Sequence, residues 1–147
     1  MNEKKINKVF IEGPVTPEFI RHSIASHSSR TDIGAHSIFL GQVRNDLIDG
    51  KEVKAIDYSA YIEMAEEKFH EIREETFQKY SLTCMHIYHS IGKVNAGEIS
   101  LFVFVSSVHR NMAFDACRKI VERIKKEVPV WGKEIFEDES FEWKTNS

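Results

Sequence analysis

Cysteine, proline and glycine are all scarce in this 147-residue chain, at two, three and seven residues. Two cysteines, Cys84 and Cys117, cannot build a disulfide framework and fit a reducing cytoplasm. With so little Pro and Gly, no linker is long enough to divide two domains. One domain is expected over residues 1–147, ending in an acidic tail from about residue 137 to 147. No apolar run approaches the roughly 20 residues of a membrane helix, so no membrane is expected as a partner. The opening MNEKKINKVF is charged and lacks the apolar stretch of a secretory signal. An excess of one charge is missing too: 20 Lys and Arg face 23 Asp and Glu, a net charge of −3, which implies no general attraction to nucleic acid. Seven histidines show neither HxH nor HxxxH spacing, so no metal site is expected. What is present is ordinary core material, 41% hydrophobic with ten Phe, too much to leave solvated as a disordered chain.

The periodicities predict an ordered set of elements. A short strand spans residues 7–12, broken by Gly13-Pro14. Thr16-Pro17 opens a helix running to about His27, with Thr as cap and Pro at the first helical position. Strands follow at residues 34–43 and 52–60, with a loop between them through the turn signal Asp49-Gly50. Ile62, Ala65, Phe69, Ile72, Thr76 and Tyr80 recur at spacings of three and four and predict a long helix. Residues 82–91 read as a strand stopped by Gly92, and 98–108 as the most hydrophobic and most central strand. Ala113, Cys117, Ile120, Val121, Ile124 and Val128 mark a last helix that Pro129 ends, and Trp131 to Phe136 a final strand. Hairpin-like neighbours mixed with helices argue an α+β fold, a mostly antiparallel sheet with packed helices.

Three places carry candidate chemistry. At Ser106-Ser107-Val108-His109-Arg110-Asn111 a buried strand runs into a helix start, which offers unpaired N–H groups to an anion; Arg110 adds a fork and His109 a proton. At Gly41-Gln42-Val43-Arg44-Asn45 a glycine allows close backbone approach and Arg44 offers a second fork. The same stretch is loosely similar to the phosphate loop of acylphosphatases. At Lys125-Lys126, ahead of Pro129-Val130-Trp131-Gly132-Lys133-Glu134, a desolvated lysine would serve as nucleophile or proton carrier, and Trp131 could wall a pocket. The same lysines also suit a helix C-terminus, and the basic stretch Arg110 to Lys133 also reads as a solvated helix face.

Further residues carry a resemblance. Gly34-Ala35 with Phe39-Leu40-Gly41-Gln42-Val43-Arg44-Asn45, Tyr61-Ile62-Glu63-Met64-Ala65, His89-Ser90-Ile91-Gly92 with Gly97-Glu98, Ser106 to Arg110 with Ala113-Phe114, and Ile124-Lys125 with Val128 to Glu134 occur in one order. That ordered set resembles the large, catalytic subunit of molybdopterin synthase over about residues 34–143. The resemblance implies a fold of the α/β hammerhead type. It implies conversion of cyclic pyranopterin monophosphate to molybdopterin by transfer of two sulfurs from the thiocarboxylated C-terminus of a small ubiquitin-like subunit. It also implies a homodimer within a heterotetramer, a cytoplasmic enzyme and no cofactor. Lys125 would match the family's essential lysine, with Lys133 as a second catalytic group. Gln42, Val43, Arg44, His109, Arg110, Gly132, Lys133 and Glu134 would bind substrate beside Lys125, with Phe39 and Trp131 as pocket wall. One position departs: many family members carry a second functional lysine where this chain has Gly132. The readings left open beside it are an acylphosphatase-like phosphatase using Arg44 and Asn45, and a non-catalytic module that binds a ubiquitin-like tail.

Overall fold

The computed structural model describes residues 9–144, and among them form eight strands and three helices. In chain order these are β1 (Phe10–Glu12), α1 (Pro17–Ala25), β2 (Ala35–Gln42), β3 (Leu47–Ile48), β4 (Lys51–Ala60), α2 (Ile62–Lys79), β5 (Cys84–Asn95), β6 (Ile99–Ser107), α3 (Arg110–Glu127), β7 (Val130–Phe136) and β8 (Phe141–Trp143). The sheet order is β2-β6-β5-β4-β7-β8, with antiparallel neighbours throughout; β1 adds a parallel pairing to β5, and β3 pairs with β4. This is the expected α+β class. Residues 7 and 8 of the predicted first strand lie outside the described residues.

Local chemistry explains most boundaries. Thr16 caps α1, its hydroxyl accepting from the Phe19 amide at 3.1 Å, and Pro17 takes the first helical position. α2 buries Ala65, Phe69, Ile72 and Thr76, and α3 buries Ala113, Ala116, Cys117, Ile120 and Ile124, nearly the stripes read from the sequence. Both helices lie on one sheet face over Met85, Val103 and Val105, while α1 covers the other face with Phe19 against Phe102 and Tyr88. β6, sandwiched between these layers, is buried along nearly its whole length. Truncating a residue such as Phe69 or Ile72 to Ala would cost about 2–5 kcal/mol.

Three boundaries differ from expectation. β5 does not stop at Gly92: the residue takes φ +88° and bends the strand, which pairs with β6 before the bend and with β4 after it. The expected loop after Arg44 holds β3, closed on β4 by a turn with Asp49 and Gly50 both at positive φ. The expected acidic tail forms, through residue 144, the turn and the strand β8 that close a hairpin with β7. Its turn carboxylates are neutralised by β4, with Lys51 3.1 Å from Asp138 and Lys54 paired with Glu139. Residues 145–147 lie outside the described residues.

Candidate active site

The end of β2, the start of β6 and the middle of β4, β5 and β7 meet the last turn of α3 around a cleft of about 140 Å³. β2 leaves its register with β6 between Gly41 and Gln42. Val43 is then pinned by two backbone bonds, its N–H to the Glu98 carbonyl at 3.0 Å and its carbonyl to the Gly97 N–H at 2.8 Å. That anchor aims Gln42 and Arg44 at the mouth.

His89 forms the floor and is 8% exposed. Its Nδ1 lies 2.7 Å from the Ser90 carbonyl, which can only accept, so Nδ1 carries the proton and Nε2 is an acceptor. Burial pulls its pKa down to about 4; the Ser90 bond works against that shift and the nearby Lys125 charge adds to it. Tyr58 meets the imidazole edge-on at 5.3 Å and its hydroxyl pairs with Ser100 Oγ at 3.1 Å. Burial pushes the Tyr58 phenol up, so both rings of the floor are uncharged near neutral pH.

Charge gathers above this floor. Lys125 leaves the end of α3 as a residue exposed overall, yet it lines the cleft, and its pKa is lowered first by desolvation, then by the charges of Lys144 and Arg44. Arg44 is held at the rim by a two-pronged contact to Asp46, 3.1 Å on each arm. Lys144 arrives from just past β8; its amide donates to the Gly132 carbonyl at 2.8 Å and its Nζ lies 3.9 Å from the buried carboxylate of Glu134. The arrangement suits an anion: the three cations Arg44, Lys125 and Lys144 outnumber the two carboxylates, Asp46 and Glu134, over a neutral acceptor, partly sheltered from water.

Gln42, Val43, Arg44, Lys125 and Glu134, all expected site residues, are brought together here. The others are not. His109 and Arg110 sit at the opposite end of α3, fifteen residues from Lys125, or about 22 Å along the helix axis. Lys133 is corrected as a cleft residue: on alternating β7 it falls on the face opposite Glu134, its ammonium 4.6 Å from the Phe141 ring centroid. Trp131 shares that outer face, half exposed, and Phe39 packs into the core beside α2 and α3, so neither walls the cleft. Gly132 does face inward, but a Cβ there would meet Ile56 Cγ2 at 2.9 Å. The sequence reading missed His89, Tyr58, Ser100 and Lys144 as cleft residues. His89 stood inside a quoted motif without a role, and no local pattern marks Lys144.

The acylphosphatase-like reading fares poorly. It needs Asn45 as well as Arg44, and the Asn45 amide is turned away to donate to Glu52 at 2.5 Å. The basic stretch of α3 is also partly a paired surface: Arg123 is tied to Glu75 and Glu127 at 2.8 and 2.9 Å.

Fold and cleft together define an α+β protein in which one face of the sheet and one helix C-terminus frame a site for an anionic group. The MoaE protein family model matches residues 15–127. The molybdopterin synthase catalytic subunit of Thermoplasma volcanium is 43% identical over 114 residues, covering 78% of this chain and 82% of that relative. The solved structure of molybdopterin synthase from Staphylococcus aureus superposes with a TM-score of 0.80 at 33% identity, over 99% of this chain and 98% of that one. The complex of subunits 1 and 2 of the molybdopterin-converting factor from Helicobacter pylori shares the fold, with a TM-score of 0.79 at 17% identity, over 93% and 89%. The chain belongs to the MoaE family, whose members include the catalytic subunits of molybdopterin synthase.

Proposed function

We propose that this chain receives sulfur from the thiocarboxylate tail of a small ubiquitin-like subunit and delivers it to a phosphorylated cyclic pterin, forming the dithiolene of molybdopterin. The observation that carries this reading is the Lys125 amine, held in a cation-lined cleft over neutral His89. A lysine of lowered pKa has more free amine near neutral pH. It can take a proton as sulfur adds or hold the acyl group of the tail covalently, and once protonated it stabilises developing negative charge. Arg44 and Lys144 supply the positive surroundings that a thiocarboxylate and a phosphate both need. Lys144 provides the second amine in the cleft, taking the part first given to Lys133. A partner of this kind is consistent with the two-subunit complex that shares the fold.

We also propose that the working unit is a homodimer and that His109 and Arg110 serve the cleft of a second copy. At about 140 Å³ the cleft is smaller than the roughly 300–1,000 Å³ of ordinary ligand sites, as half of a shared site would be. β2 is an edge strand with Ile38 and Leu40 exposed, and the start of α3 exposes Val108, Met112 and Phe114. A two-fold axis through the middle of β2 sets the Ala35 end of one copy opposite Gln42 of the other, and the Ala35 end adjoins the start of α3 through the pairing of Ala35 with Ser107.

The direct test mixes the chain with thiocarboxylated small subunit and the cyclic pterin monophosphate, and assays dithiolene product. Product is expected with both present and none with an unsulfurated carboxylate tail. Tail binding without any product would leave only a non-catalytic docking module.

A further inference from the structure

A second cluster of reactive side chains lies on the other face of the sheet, under the C-terminal end of α1. His27 follows that helix; Cys84 and His86 are alternate residues of β5 and share the face that α1 covers. The Nε2 atoms of His27 and His86 face each other at 3.1 Å, and with Cys84 Sγ they form a set of ligand atoms all within 4.8 Å of one another. Nδ1 of His27 is 2.8 Å from the Ser23 carbonyl, which accepts only. In the tautomer this selects, the proton sits on Nδ1, the Nε2 lone pair faces Cys84 and His86, and the His86 Nε2 carries the hydrogen of the 3.1 Å contact while no metal is bound. A backbone carbonyl fixing the far nitrogen is the outer-shell arrangement that orients metal-binding imidazoles. Two imidazole nitrogens at about 2.0–2.1 Å from one tetrahedral zinc stand roughly 3.3 Å apart, close to the spacing seen. The Arg30 guanidinium lies 3.5 Å from Sγ as a donor that suits a thiolate, and its own charge is answered by Asp32 at 3.1 Å.

We propose that His27, Cys84 and His86 bind one transition-metal ion of the zinc class, with a fourth position left to water. Two imidazoles and a thiolate select zinc, cobalt or nickel over magnesium or calcium, which prefer oxygen. Binding takes the thiol proton from Cys84 and forms the metal–sulfur bond, while His86 switches tautomer, its proton passing from Nε2 to Nδ1, so one proton leaves per ion bound. The fold supplies a purpose. α1 has no fully buried residue and rests on its Phe19 and Ile20 edge, so an ion bridging its C-terminal end to β5 clips the helix to the sheet. The site lies on the face opposite the cleft, and Cys84 is five residues, about 17 Å, along β5 from His89. It stands whether or not the sulfur-transfer reading does.

The test titrates the full-length chain, first stripped with chelator, with cobalt chloride and then zinc chloride. One cobalt per chain is expected, with a thiolate-to-cobalt charge-transfer band that zinc abolishes, about one proton released per zinc, and a raised Tm. Cys84→Ser should remove the band and Cys117→Ser should keep it. His27→Gln and His86→Gln should each weaken zinc binding at least about tenfold. A wild-type spectrum lacking the thiolate band, or zinc affinity unchanged in both histidine variants, overturns the proposal. The wild-type titration decides it even where a variant fails to fold.

Discussion

The two ends of α3 carry the most chemically suggestive residues of the chain, yet they sit in opposite environments. At the C-terminal end Lys125 enters a cleft floored by buried His89 and shared with Arg44, Lys144 and Glu134. At the N-terminal end His109, Arg110 and Asn111 are exposed, and His109 caps the helix without a side-chain hydrogen bond. One end is assembled by its own fold; the other presents a guanidinium, an imidazole and apolar Val108, Met112 and Phe114 outward. About 22 Å of helix separates them, so they can serve one substrate only across a boundary between two copies.

The largest effect is expected at the assembled end. Lys125→Ala should lower dithiolene formation by about 10²–10⁴-fold, the range for losing a positioned proton carrier. Because Lys125 is exposed overall and no part of the buried stripe of α3, a Tm within a few degrees of wild type and unchanged binding of the small subunit are expected. Turnover within a factor of two of wild type would strip Lys125 of its role and leave the two ends of α3 equally idle.

Next comes the floor. His89 has a pKa of about 4 in the folded protein against 6.5 for an ordinary histidine. Between those values the unfolded chain takes up a proton that the folded chain refuses. Stability is therefore whole above about pH 6.5 and declines as pH falls toward 4, by up to about 3 kcal/mol from this residue. Urea unfolding across that window should show His89→Phe losing this much less of its stability than wild type. Parallel curves would mean the floor is wetter than its burial implies.

The exposed end is tested by mixing. Arg110→Ala should lower kcat/KM by about 10–100-fold, as expected for a charged hydrogen bond to substrate. If the site is shared, equal parts of Arg110→Ala and Lys125→Ala chains, allowed to exchange, should recover about a quarter of wild-type activity, because half the dimers then hold one intact site of two. No recovery would place both residues in one chain's site and dissolve the contrast between the ends.

How much of this was legible in the sequence follows from how far apart the interacting residues are. α1, α2 and α3 announced themselves through a cap, a proline and apolar periods, all local signals. β3 is two residues long and forms only against β4, and β8 forms only against β7, so neither has a pattern of its own. Gly92 reads as a stop, but in a sheet that changes partners the same positive φ makes a bend. In the site, Arg44 and Lys125 were found because motifs surround them. Lys133 was misplaced because strand alternation was not carried through from Glu134. The His27, Cys84 and His86 cluster was invisible to spacing rules, since its first member lies fifty-seven residues before the second.

The smallest expected effect is also the finest probe of the cleft. Lys144 reaches it through two contacts, the amide bond to Gly132 and the approach to Glu134 at 3.9 Å. Its charge is the largest electrostatic contribution lowering the Lys125 pKa, ahead of Arg44 and second only to desolvation. Removing that charge as Lys144→Gln lets Lys125 hold its proton more tightly, so its pKa rises. If free amine is the active form, the rising limb of kcat against pH should move to higher pH in the variant, and Lys144→Arg should restore it. The groups facing Lys125 that also titrate or carry charge are Arg44, Asp46, Tyr58, His89 and Glu134, and the substitution leaves all of them in place. A several-fold loss of kcat/KM with an unmoved limb would mean that Lys144 only binds the incoming anion. A moved limb would show that a residue from the outermost hairpin sets the protonation of the amine at the far end of α3.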